Sequence, residues 1–164
     1  MKELQDEGKI KAIGVSNFHP DRIMDLIVNS GVTPAVNQIE AHPFNQQIET
    51  QKFLLENNIQ IESWAPFAEG RNDIFQNELL TSLANKYQKS VAQIILRWLT
   101  QRNIVVIPKS VHKERIEENF NIFDFELSAE DMEAITTLDT KQSLFFDHRD
   151  PEMVRDLSGR RMEE

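Results

Sequence analysis

Apolar residues along this chain fall into two spacings. Four short runs, each closed by polar residues, read as strands: Lys11 to Asn17 (KAIGVSN), Ala35 to Glu40 (AVNQIE), Ile59 to Trp64 (IQIESW) and Ile104 to Ser110 (IVVIPKS). Helical spacing lies between them. Val91, Ile94, Ile95, Trp98 and Leu99 repeat at i, i+3, i+4, i+7 and i+8 behind Ser90, a residue type that caps helix starts. Pro20 opens a second helix that carries Ile23, Leu26 and Ile27 and ends near Asn29-Ser30-Gly31. Ile48, Gln51, Leu54 and Leu55 mark a third, and Leu79, Leu80, Leu83, Ala84 and Tyr87 a fourth. Ser128 followed by Asp131 has the form of a capping box ahead of Met132, Ile135 and Leu138. From about Lys141 the chain is charged, contains Pro151 and Gly159, and reads as a tail or covering segment.

Strand alternating with helix implies βαβ units and a parallel sheet, so the fold class is α/β. The first three strands start 24 residues apart, a regularity that favours a (β/α) TIM-type barrel over an open doubly wound sheet. No G-x-G-x-x-G or G-x-x-x-x-G-K-[ST] occurs, which removes the dinucleotide and P-loop turns. A whole barrel needs roughly 200–250 residues, and four units suggest half of one. Strands of such a barrel are expected to be buried on both faces, so an isolated half would leave an apolar inner face and two edges open. The expected organisation is a half barrel over 1–140 and a tail over 141–164.

The chain has 164 residues and a net charge of −9, which disfavours general nucleic-acid or anionic-membrane binding but leaves room for one local basic site. The absence of cysteine excludes disulfides and thiol chemistry. No signal peptide or membrane span is apparent, so the expected location is cytoplasmic. The four histidines lie 23, 70 and 36 residues apart and suggest no metal site. His19 and His42 precede prolines and read as turn residues, with substrate contact open for His42; His112 is placed to help bind an anion, and His148 is in the tail.

Working residues of parallel barrels gather at the carboxyl ends of strands. Here those ends carry Ser16-Asn17, then Gln38, Glu40 and His42, then Ser63-Trp64, then Lys109-Ser110. Arg115 with Glu118 and Asn119 should share one face of a short helix. A lysine, a guanidinium and a helix start after the last strand suit a phosphate group, the alternative being a solvated charged face. Glu40 reads either as a group tuning the site or as a rim charge.

These segments resemble the carboxyl-terminal half of the aldo-keto reductases. The resemblance rests on EGKIKAIGVSNF (Glu7 to Phe18), VNQIEAHP (Val36 to Pro43), SWAPF (Ser63 to Phe67), SVAQIILRWLTQRNIVVIPKS (Ser90 to Ser110) and RIEENF (Arg115 to Phe120). It implies NADPH-dependent reduction of an aldehyde or ketone by hydride transfer. It also implies that Ser16, Asn17 and Gln38 hold the nicotinamide carboxamide and that Trp64 stacks on its ring. Lys109, Ser110 and Arg115 would meet the 2′-phosphate of NADP(H), and Glu118 and Asn119 the adenine. Keeping both Lys109 and Arg115 favours NADPH over NADH.

The family's proton-donating tyrosine and its lysine, aspartate and histidine partners belong to the amino-terminal half, so no catalytic residue is assigned. Tyr87, the only tyrosine, falls on a helical stripe and reads as packing. The expectation is a cofactor-binding half, inactive alone, that meets a carbonyl substrate only when the other half is supplied. Three origins stay open. Met1, inside what would be a helix, suggests a truncated frame; a true half barrel would pair with itself or a separate amino-terminal half; a binding protein without catalysis is the third.

Overall fold

The computed structural model describes residues 1–160. Four parallel strands, β1 (Gly14–Ser16), β2 (Val36–Glu40), β3 (Gln60–Trp64) and β4 (Val105–Val106), lie side by side in chain order. Helix α1 (Lys2–Asp6) precedes them; α2 (Pro20–Ser30) and α3 (Ile48–Glu56) make the first two crossovers. The third crossover runs through irregular turns (Ala68–Gln76), then α4 (Glu78–Tyr87) and α5 (Val91–Gln101). Helices α6 (Lys113–Phe120), α7 (Ala129–Thr136) and α8 (Pro151–Gly159) follow β4.

Local chemistry accounts for these boundaries. Ser90 and Gln93 form the full reciprocal capping box of α5. Pro20 sits in the first turn of α2, and Gly31 ends it at φ 67°, where a Cβ would be strained. Ser128 caps α7, but only half of the expected box forms: its own N–H donates to Tyr87 at 3.0 Å, because the Asp131 carboxylate turns to Lys86 and Tyr87 instead. The tail differs from expectation too. Asp150 caps and Pro151 opens α8, whose Met153, Val154 and Leu157 share one side.

Two strands are shorter than their apolar runs. β1 and β4 are the outer strands of the sheet, each with a neighbour on one side only, and Pro108 has no N–H to give a ladder. The expectation of an apolar inner face is also corrected. In register, Ser16 lies beside Gln38, Gln38 beside Glu62, and Glu62 beside Val105. That row, with Gln60 and Glu40 in the flanking rows, makes the inner face largely polar. Alternate residues Ile39 and Ile61 point the other way, into a core with Leu54, Ile94, Ile95, Trp98 and Leu99. The strands therefore alternate polar and apolar residues, with the apolar side packed into the core.

The chain after α7 returns across the carboxyl ends of the strands. Thr140 N–H and Oγ1 both donate to Phe44 O, at 2.9 and 2.7 Å. Ser143 Oγ and Leu144 N–H then donate to the Glu40 carboxylate at 2.5 and 3.0 Å. Farther on, Arg149 pairs with Asp21 at 2.8 Å. Among the described residues no helix is long and apolar enough to cross a membrane, and no three His, Asp or Glu side chains cluster to hold a metal. Residues 161–164 of the expected tail lie outside the described residues.

Candidate functional site

Parallel pairing brings the ends of β1, β2 and β3 together, and their side chains form one connected group. Asn17 adopts φ 59° just past β1, and its N–H donates to Gln38 O at 2.9 Å. Ser16 Oγ donates to the same carbonyl at 3.1 Å. The Trp64 indole N–H donates to Asn17 Oδ1 at 2.7 Å, and Asn17 Nδ2 donates to Ser16 Oγ at 3.2 Å. Gln38 Nε2 donates to Glu62 Oε1 at 2.5 Å. Ser16, Asn17, Gln38 and Trp64 are thus assembled as a unit, with the indole only partly covered.

Phe145 meets Trp64 edge-on at 4.9 Å between ring centroids, with His148 at 6.5 Å. The Arg71 guanidinium lies 4.3 Å over Phe145 and donates to Leu144 O at 2.7 Å. A cavity of about 480 Å³ opens beside this group, between the ends of β1 and β2 and the tail, with Asn17, His19, Glu40, Phe146 and His148 in its wall. Burial pushes both histidines below their ordinary pKa; Arg149 adds to this for His19, and Glu40 and Asp147 oppose it for His148.

Glu40 and His42 are buried. His42 Nδ1 accepts Phe44 N–H at 3.2 Å, so the ring proton lies on Nε2 and is donated to Glu40 Oε1 at 2.9 Å. With Ser143 and Leu144 also donating, the Glu40 carboxylate is fully engaged and is no rim charge. Burial pushes its pKa up, yet the hydrogen bonds from His42, Ser143 and Leu144 outweigh that and hold it below the usual range. Ser63 is also outside the group: buried, it donates to Ala41 O at 2.6 Å.

Lys109, Ser110, Arg115, Glu118 and Asn119 form a second set after β4. Lys109 and Arg115 are exposed and enter no ion pair among the described residues. Ser110 Oγ accepts His112 N–H at 3.1 Å, which shapes the turn into α6. Glu118 and Asn119 lie half-buried on that helix, and Gln93 Nε2 reaches Glu118 O at 3.3 Å and Asn121 O at 2.8 Å. Lys113 and Glu117 make an exposed i, i+4 pair on the same helix. Glu62, Arg71 and Ser143 were not singled out from sequence. The alternation Gln60, Glu62, Trp64 against Ile59 and Ile61 carried the signal for Glu62; nothing local marked the other two.

A family model described as the Aldo/keto reductase family matches residues 1–140. Methylglyoxal reductase DkgA of Escherichia coli (strain K12) is 45% identical over 144 residues, 88% of this chain and 52% of that protein. MGS-M4, an aldo-keto reductase enzyme from a Medee basin deep-sea metagenome library, superposes with a TM-score of 0.87 at 42% identity, covering 91% of this chain and 55% of that one. A mutant of Gox0644, solved in complex with NADPH, superposes with a TM-score of 0.83 at 41% identity, covering 87% and 52%. The chain spans about half the length of the relatives it matches.

Proposed function

The chain belongs to the aldo/keto reductase family, and on that premise we propose that it supplies the cofactor-binding half of an NADPH-dependent reductase of aldehydes or ketones. The observation that carries this reading is the joined group at the ends of β1, β2 and β3. Ser16, Asn17 and Gln38 offer polar atoms to a carboxamide, and Trp64 offers a flat apolar ring for stacking. Lys109, Ser110 and Arg115 suit a 2′-phosphate, and an exposed guanidinium with no carboxylate partner among the described residues suits a charge-assisted pair. Glu118 and Asn119 flank Arg115 as adenine contacts. This donor set suits NADP(H), and the related Gox0644 mutant is solved in complex with NADPH.

Bound there, the reduced nicotinamide supplies a hydride for the carbonyl carbon. The residues of this chain orient the ring: Asn17 and Gln38 fix the carboxamide, and Trp64 excludes water from one face. Proton donation to the carbonyl oxygen has no candidate among them. Tyr87 is held by Asp131 between α4 and α7, away from the site. We assign residues 1–140 to the barrel half and 141–164 to a tail whose described part covers the strand ends, and a small carbonyl compound as substrate once a proton-donating half is present. A cytoplasmic setting accords with this chemistry.

A second reading is a non-catalytic half barrel that binds NADP(H) and pairs with itself or with a separate amino-terminal half. The outer positions of β1 and β4 favour pairing.

Calorimetric titration of NADPH and NADH into the purified chain tests the first reading. NADPH should bind about tenfold or more tightly than NADH, and Arg115→Ala should remove most of that gap. A folded chain that binds neither, or binds both equally, overturns it.

A further inference from the structure

Resting on the cofactor reading above, we infer that Glu62 is a positioning residue that sets the donor and acceptor pattern presented to the nicotinamide carboxamide. An amide side chain has two ends of opposite character, and a site made of Asn and Gln is ambiguous until each is fixed. β3 fixes both. Its residues 62 and 64 share the inner face, beside Gln38 and Glu40 in register.

Trp64 has only an indole N–H to give, so it takes Asn17 Oδ1, at 2.7 Å. Asn17 therefore turns its Nδ2 toward the site, where one hydrogen goes to Ser16 Oγ at 3.2 Å and the other is left to donate. Glu62 Oε1 accepts, so it takes Gln38 Nε2, at 2.5 Å. Gln38 Oε1 must then face away from Glu62, and it accepts none of the hydrogen bonds among the described residues. The Gln38 backbone is held as well, its carbonyl accepting from Ser16 Oγ and Asn17 N–H.

The result is a donor on Asn17 and an acceptor on Gln38, the complement of a primary carboxamide with its C=O and N–H₂. Without Glu62, Gln38 is free to turn over, and a donor then meets the ligand's N–H₂. Glu62 thus selects a carboxamide at this position over an acetyl group, which has no N–H to give.

Three probes with the full chain test this: NADPH, its 3-acetylpyridine analogue, and 2′,5′-ADP, which lacks the nicotinamide. Glu62→Ala should weaken NADPH about fivefold or more and leave the acetylpyridine analogue and 2′,5′-ADP within about twofold of wild type. Glu62→Gln, which keeps the shape but can donate or accept, should fall between, and guards against a misfolded alanine variant. Equal losses for NADPH and its analogue, or no loss for NADPH, overturn the inference while leaving the cofactor reading standing. A wild-type chain that binds none of the three probes overturns both.

Discussion

Tyr87 donates its phenolic proton to Asp131 Oδ2 and accepts Ser128 N–H at 3.0 Å, while Lys86 Nζ reaches the same carboxylate at 2.7 and 2.9 Å. A tyrosine, a lysine and an aspartate therefore meet, as residue types, in the combination that carbonyl reduction uses. Their position argues for another role. They join α4 to the start of α7, and the cavity beside Trp64 is lined by none of them. Burial pushes the Asp131 carboxyl up, but its bonds from Lys86, Tyr87 and Ser128 hold it below the ordinary range. Tyr87→Phe should cost about 1 kcal/mol in urea unfolding and leave NADPH binding unchanged. Loss of binding with stability intact would contradict that assignment. Helical spacing already placed Tyr87 as packing in the sequence. Its hydroxyl partner was not legible, because Asp131 lies 44 residues away and has the spacing of a capping box with Ser128.

Among elements, the tail and β2 are joined through Glu40, which has donors from His42 beyond the strand and from Ser143 and Leu144 in the tail. Its folded pKa lies below the unfolded value of 4.5. The stabilisation is therefore complete above about pH 4.5 and is lost as pH falls through the lower folded value. Hydrogen exchange of the Leu144 amide should accelerate over that acid range while the amides of β2 and β3 stay protected. Glu40→Gln should make exchange at Leu144 faster at neutral pH and less dependent on acid; a Leu144 rate that ignores both changes would contradict the link. The strands and helices themselves were largely legible, since alternation and i, i+3, i+4 stripes mark them and Ser90 caps α5 as its position predicts. The tail contacts were not, because Ser143 and Glu40 are 103 residues apart and Ser143 lies in no local pattern that points to the end of β2.

For the whole molecule, four parallel strands in chain order account for about half of each solved relative. That architecture was legible from the regular spacing of apolar runs. The polarity of the inner face was not, although Ser16, Gln38, Gln60 and Glu62 occupy alternate positions of their strands, because barrel strands are ordinarily buried on both sides. Such a face is poorly suited to hydrophobic closure and well suited to a polar ligand. The two sets of candidate residues, around Trp64 and after β4, are far apart in sequence, and one extended nucleotide would engage both. Trp64 reports on this directly, since Trp98, the only other tryptophan, is wholly buried in the core. The decisive measurement is a fluorescence titration with NADPH of the wild-type chain and of Trp64→Phe. The expected result is saturable quenching of indole emission with energy transfer to the dihydronicotinamide in wild type, and loss of most of that signal in the variant. Saturable binding with Trp64 emission unchanged, or quenching that persists undiminished in Trp64→Phe, would contradict the placement of the nicotinamide at this site.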